Sequence, residues 1–220
     1  CNFKRKQMMY LPLFPLQSVF FPGERIPLHI FETRYRQLIL DCKDEAMNFG
    51  IPVYLETLMN YGVEVQLEDI SQLYPGGEMD IICTAKRVFK LLSFDATMAL
   101  KPYAGGEVVF LENTNNDVLD EKELVVEAIE TLYFLMEIPS KAIVSENFNS
   151  FSLAHKIGLS KIQEYELLQI TSERARLLYI QKHLQQVISV LKEVNRTKAV
   201  IQLNGHFKNF DPLNFENFKI

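Results

Sequence analysis

The sequence predicts an α+β protein, a strand-rich first half with one inserted helix followed by a helical second half. Three observations predict it. Residues 10 to about 112 fall into short apolar runs broken by Pro and Gly, as strands and turns do. One segment inside that half switches to a helical period. After the break at Asn113-Thr114-Asn115-Asn116-Asp117, residues 120 to about 195 keep a helical period throughout.

Taken in order, Arg25-Ile26-Pro27-Leu28-His29-Ile30 alternates, with Ile26, Leu28 and Ile30 on one face and Arg25, Pro27 and His29 on the other. Pro27 has no amide hydrogen to give a neighbour, so this strand belongs at an edge or beside a bulge. Tyr35, Leu38, Ile39 and Cys42 then recur at i, i+3, i+4 and i+7, with Arg34, Arg36, Gln37 and Asp41 outward. That helix is expected to plug one end of a barrel. Val63, Val65 and Leu67 alternate with Glu64, Gln66 and Glu68; Met79, Ile81 and Cys83 alternate with Asp80 and Ile82. The turn residues Tyr74-Pro75-Gly76-Gly77 join these two strands as a hairpin.

In the second half a helix is expected over 120–137, stopped before Pro139, and a shorter one over 152–157, closed by Gly158. Ser160 with Gln163 makes a capping-box signature for a third, running through Ile170. The last begins near Ser172. Its Leu177, Ile180, Leu184, Val187, Leu191 and Val194 are spaced as the seam of a helix packed nearly parallel to a neighbour, within the chain rather than in a coiled-coil dimer.

The chain has 220 residues, 48% of them hydrophobic, enough for a sizeable core. Its net charge of -5 repels a phosphate backbone, so nucleic acid is not expected as a partner. Three cysteines at wide spacing fit neither a disulfide framework nor a zinc knuckle, and a cytoplasmic location is expected. No apolar stretch is long enough for a membrane span. His29, His155, His183 and His206 show no metal-ligand spacing, so no metal is expected. The Gly-Gly segments at Gly76-Gly77 and Gly105-Gly106 lack the lysine and hydroxyl of a phosphate loop and read as turns, so no cofactor is expected either.

Leu11-Pro12-Leu13-Phe14-Pro15-Leu16, Val19-Phe20-Phe21-Pro22-Gly23, Ile26-Pro27-Leu28-His29-Ile30-Phe31-Glu32 and Arg34-Tyr35-Arg36 form one specific run that resembles the opening signature of the N-terminal substrate-binding domain of the Lon protease family. Gly62, Gly76-Gly77, Phe89, Pro102-Tyr103 and Glu107-Val108 match more loosely, as do Leu167-Leu168, Glu173, Arg174, Leu177 and Leu178. The resemblance spans residues 9–192. The chain departs from the pattern at Thr33, where a proline is frequent, at Ala85, where a glycine is usual, and at Val88, where an arginine is common.

The resemblance implies a PUA-like twisted β-barrel over 9–115 and an α-helical bundle over 116–195, leaving 196–220 as a Phe-rich C-terminal tail. It implies a protein-binding module, an adaptor in quality control or proteolysis that takes unfolded or degron-bearing polypeptides and works with a separate protease. Phosphate-loop ATPase and Ser-Lys peptidase sequences are not found, so no catalysis is expected and no catalytic residue is named. The alternative, RNA binding by a PUA-like fold, needs clustered Lys and Arg with stacking aromatics; the dense basic run is Lys4-Arg5-Lys6.

The candidate polypeptide-binding surface is Phe20, Phe21, Pro22 and Tyr54 with the strand edge at Pro27 and His29, since exposed aromatics anchor apolar side chains and a free edge accepts an extended peptide. Phe31, Glu32, Arg34, Tyr35 and Arg36 are read as structural, their charges tying the helix to the adjoining strand. The chain is expected to be a monomer or weak homodimer. Phe207, Phe210, Leu213, Phe215, Phe218 and Ile220 stud the tail, and Pro212 bars a continuous helix there, so the tail is expected to dock, on the chain's own client surface or on a neighbour's.

Overall fold

Six strands and five α-helices are seen in a computed structural model that describes residues 8–114, 118–138 and 148–207. β1 (Met8–Leu13) and β2 (Arg25–Ile30) precede α1 (Thr33–Asp44); β3 (Phe49–Tyr54), β4 (Leu58–Leu73), β5 (Met79–Leu91) and β6 (Ala104–Phe110) follow. The helical half is α2 (Leu119–Leu135), the one-turn α3 (Ser150–Leu153) running into a 3-10 turn, α4 (Lys161–Gln169) and α5 (Glu173–Phe207).

The sheet is mixed. β1 pairs antiparallel with β6 and parallel with β3, while β3, β4, β5 and β6 continue antiparallel, so β1, β3, β4, β5 and β6 pair in a ring. β5 is long enough to hold β2 along Met79 to Thr84 and β6 along Phe89 to Leu91. Among the described residues β2 therefore has one partner and a free edge, and Pro27 on this edge strand is exposed. At Gly62 a Cβ would collide with the Ile51 carbonyl, so only glycine lets β3 and β4 approach this closely.

Tyr35, Leu38, Ile39 and Cys42 are buried as their spacing predicts, and they share one core with Val63, Val65 and Ile81 of the ring. Asp41 is not outward. It is 8% exposed, accepting from Tyr103 Oη at 2.6 Å and from Lys101 Nζ at 2.7 Å. Those partners lie on the segment leading into β6, beyond what local periodicity can show. Glu64, placed with the polar face of its strand, is also buried, held by Arg87 Nε at 2.7 Å and Asn48 Nδ2 at 3.1 Å. Around Ala85 the backbone is ordinary extended structure; its carbonyl accepts from Gly23 N and its amide donates to Glu24 O, both at 2.9 Å.

The Ser160–Gln163 capping box is present, and Gly158 adopts φ +74 ahead of it. Leu177, Ile180 and Leu184 of the α5 seam are buried, in the same core as Val125, Ile129 and Leu132 of α2. One core thus runs from the sheet into the helices. The tail expected over 196–220 divides: residues through Phe207 continue α5, and Phe210, Leu213, Phe215, Phe218 and Ile220 lie outside the described residues.

Candidate polypeptide-binding surface

A groove of about 540 Å³ opens where the β3–β4 connection faces the start of α4. Tyr54, Leu55, Glu56, Thr57 and Met59 form its sheet wall, Lys161, Ile162 and Tyr165 its helix wall, and Gln17 completes the lining. Local sequence builds both walls. β3 slips register against β4 between Pro52 and Tyr54, and such a bulge re-aims the side chain beside it. Tyr54 emerges 39% exposed.

Across the groove, the capping box fixes the first turn of α4 and presents Ile162, 63% exposed. One turn on, Tyr165 is buried edge-on against Tyr61, with ring centroids 6.1 Å apart. Lys161 Nζ donates to the Gln17 carbonyl at 2.8 Å, tying α4 to the β1–β2 connection. An apolar floor between a lysine and a glutamate suits an extended polypeptide, whose apolar side chains enter while its amides stay wet.

A second cluster stands beside the free edge of β2. His29 Nδ1 and Asp80 Oδ1 are 2.6 Å apart, and Tyr74 Oη donates to Asp80 Oδ2 at 2.8 Å. The hydrogen bond to His29, then that to Tyr74, holds the Asp80 carboxyl below its ordinary pKa. The imidazole is flanked by Phe31 at 6.2 Å and Tyr74 at 5.8 Å, on an open surface rather than in a pocket. Glu32 pairs with Arg34 instead of capping α1, and Arg36 Nη1 donates to the Gly76 carbonyl at 2.6 Å, tying α1 to the β4–β5 turn. Tyr35 packs on Phe14, with centroids 4.0 Å apart.

The structure separates the sequence candidates. Tyr54 lines the groove, and Pro27 and His29 mark the β2 edge. Phe20 and Pro22 are half-buried. Phe21 is a correction, since it is 1% exposed, covered by Phe151 at 5.2 Å and His155 at 5.0 Å. Helix residues distant in sequence cover it, which an aromatic pair in a loop cannot reveal. Missed altogether were Lys161, Ile162 and Tyr165. Ile162 carried a signal, an isoleucine one residue inside a helix start where the buried face falls elsewhere. Cys42 and Cys83 are buried, and burial lifts both thiols to about 12, too high for a nucleophile at neutral pH.

The cover over Phe21 is held by charge. His155 Nδ1 lies 2.7 Å from Glu164 Oε1 of α4, and Nε2 lies 3.3 Å from Glu24 Oε2 of the β1–β2 connection. The bond to Glu24 raises the His155 pKa to about 9; partial burial opposes it, and Glu164 adds to it. A raised pKa stabilises the fold fully below about 6.5, the unfolded value, and the stabilisation is lost as pH climbs through about 9. Because the ring is 41% exposed, the effect is discounted to about 1 kcal/mol. Urea midpoints should therefore fall between pH 6.5 and 9.5 for the native chain and hold level for His155→Gln. Parallel curves for the two proteins would remove the clasp.

The sequence model of the ATP-dependent protease La (LON) substrate-binding domain matches residues 10–186. Among solved structures, the chain is similar to a Lon N-terminal domain protein from Xanthomonas campestris, at 29% identity and a TM-score of 0.61, over 77% of this chain and 95% of that one. It shares its fold with the N-terminal domain of a Lon protease from the Mycobacterium avium complex, at 14% identity and a TM-score of 0.58, over 80% and 98%. No curated protein matches it.

Proposed function

The chain belongs to the LON substrate-binding domain family, and from that premise we propose that it recognises polypeptides through the groove between the β3–β4 connection and α4. The observation that carries this is the pairing of Tyr54 and Ile162, from elements far apart in sequence, across one apolar-floored groove. Unfolded or degron-bearing segments are the clients: an extended chain offers the apolar side chains that a folded surface withholds. Burying one or two of them contributes about 1.5–3 kcal/mol each, and ordering the client offsets part of this. Affinity is then weak, micromolar or poorer, at about -8 kcal/mol or less favourable. The free β2 edge, with His29, Phe31 and Tyr74 beside it, offers a separate place for strand addition.

In this reading the ring of strands is a PUA-like barrel plugged by α1, and the helices form a bundle whose α4 completes the groove. The module acts without catalysis, as an adaptor that delivers clients to a separate protease. Free, buried Cys42 and Cys83 suit the reducing cytoplasm. The test is fluorescence anisotropy of a labelled, denatured client and of a labelled single-stranded RNA, titrated with the full chain at rising salt. Micromolar client binding with a shallow salt slope supports the proposal. Steep, salt-sensitive RNA binding without client binding transfers the function to nucleic acid.

A further inference from the structure

We propose that His155 is a positioning residue for the client groove: its imidazolium holds the α4 wall to the β1–β2 connection, and loss of its proton loosens that wall and weakens client binding. The role rests on the groove reading above and follows from where the two walls are anchored. Tyr54 N donates to the Leu16 carbonyl at 2.9 Å and Leu16 N to the Pro52 carbonyl at 3.3 Å, so the sheet wall is fixed to the β1–β2 connection. One residue on, the Gln17 carbonyl accepts from Lys161 Nζ at 2.8 Å, and Gln17 itself lines the groove. The connection is the strap that sets the spacing between Tyr54 and Ile162.

A second tie runs from the far end of the strap. Glu24 is the last residue before β2, its Oε2 accepting from Phe21 N at 3.0 Å, and Glu164 stands in the first turn of α4, two residues after Ile162. Two carboxylates repel each other, so something between them must supply the attraction. His155, on the 3-10 turn after α3, does so, with Nδ1 2.7 Å from Glu164 Oε1 and Nε2 3.3 Å from Glu24 Oε2. An ionised carboxylate only accepts, so both ring nitrogens donate, and an imidazole donates from both only when it is protonated. Whichever nitrogen gives up the proton, one carboxylate is left facing a lone pair and the tie between strap and helix parts.

The charged and titratable groups around the ring are Glu24 of the strap, Lys161 and Glu164 of α4, exposed Lys156 on its own turn and His183 of α5. His183 donates from Nε2 to the Ile157 carbonyl at 3.0 Å and accepts from Gln163 Nε2 at 3.4 Å, which joins α4 to α5 and leaves the strap to His155. A wall held in place before the client arrives binds it more tightly than one that must be ordered on binding. The groove is therefore set at neutral pH and relaxes as pH climbs through about 9, where His155 loses its proton.

The test is the affinity of the full chain for a fluorescent unfolded polypeptide with carboxymethylated cysteines and acetylated amines, measured by anisotropy from pH 7 to pH 10. The native chain should lose about fivefold in affinity across a midpoint near 9. His155→Gln cannot donate to both acids at once; it should bind about fivefold more weakly at pH 7 and stay level. His155→Arg, with a charged fork that reaches two acceptors and keeps its proton, should match the native chain at pH 7 and stay level to pH 10. The native ring gives a reading that needs no variant: bound client should move the His155 NMR titration to higher pH, since the coupling is reciprocal. Native affinity that is level with pH, a fall that persists in both variants, or an unmoved His155 titration overturns the proposal, even where Tyr54→Ala with Ile162→Ser still weakens the client. A client that ignores that double variant removes the groove reading itself, and the positioning role with it.

Discussion

Arg176→Ala is expected to cost about 3–5 kcal/mol of folding stability, the largest loss from any one side chain described here. Arg176 is 2% exposed, and each nitrogen of its guanidinium donates at least one hydrogen bond. Nε donates to Ser150 Oγ at 2.8 Å and Glu173 Oε2 at 3.0 Å, Nη2 to Glu173 Oε2 at 2.7 Å, and Nη1 to the Ile170 carbonyl at 2.7 Å and Asn113 Oδ1 at 3.2 Å. Its plane also lies 4.2 Å from the Phe151 ring centroid. One residue thereby joins the end of the sheet half, α3, the end of α4 and the start of α5. Removing it strands the Glu173 carboxylate in the interior, supported among the described residues by Ser150 N at 2.8 Å and Ser150 Oγ at 2.7 Å. An uncompensated buried charge costs far more than the pair contributes. Arg176→Met with Glu173→Leu should therefore be milder than Arg176→Ala alone, as urea titrations of the single and double variants will show. A loss under 1 kcal/mol for Arg176→Ala would mean that water or a rearranged loop reaches Glu173.

The second large effect falls on binding. Tyr54→Ala combined with Ile162→Ser should weaken a denatured client by about 10- to 100-fold, since two central anchors are lost from one small groove. Melting temperature should barely move: both side chains are well exposed, and substitutions at such positions stay within about 0.5 kcal/mol. Affinity unchanged in the double variant, with the fold intact, moves the client elsewhere, and the β2 edge is then the surface to change next.

Local chemistry made much of the fold legible. The Ser160–Gln163 cap, the Tyr74 to Gly77 turn, the spacing of Tyr35, Leu38, Ile39 and Cys42, and the first part of the α5 seam, Leu177, Ile180 and Leu184, each depend on residues a few positions apart and appear as read, whereas Val194 at the far end of that seam is 41% exposed. Charged interiors did not show, because their partners are remote. Asp41 meets Tyr103, Glu64 meets Arg87, and Glu173 meets Ser150. In sequence each of these acids looks solvated, and only chain topology shows otherwise. The candidate surface was half legible for the same reason. Tyr54 could be picked out as an aromatic near a turn, whereas Phe21 looked equivalent until α3 was seen to cover it. Ile162 acquires meaning only when α4 is set against the β3–β4 connection.

The most direct test of polypeptide recognition by this groove is an amide-exchange footprint of the full chain, free and saturated with a denatured client. Protection concentrated in residues 54–59 and 161–165 is the predicted result. Saturation without protection in either segment would contradict it.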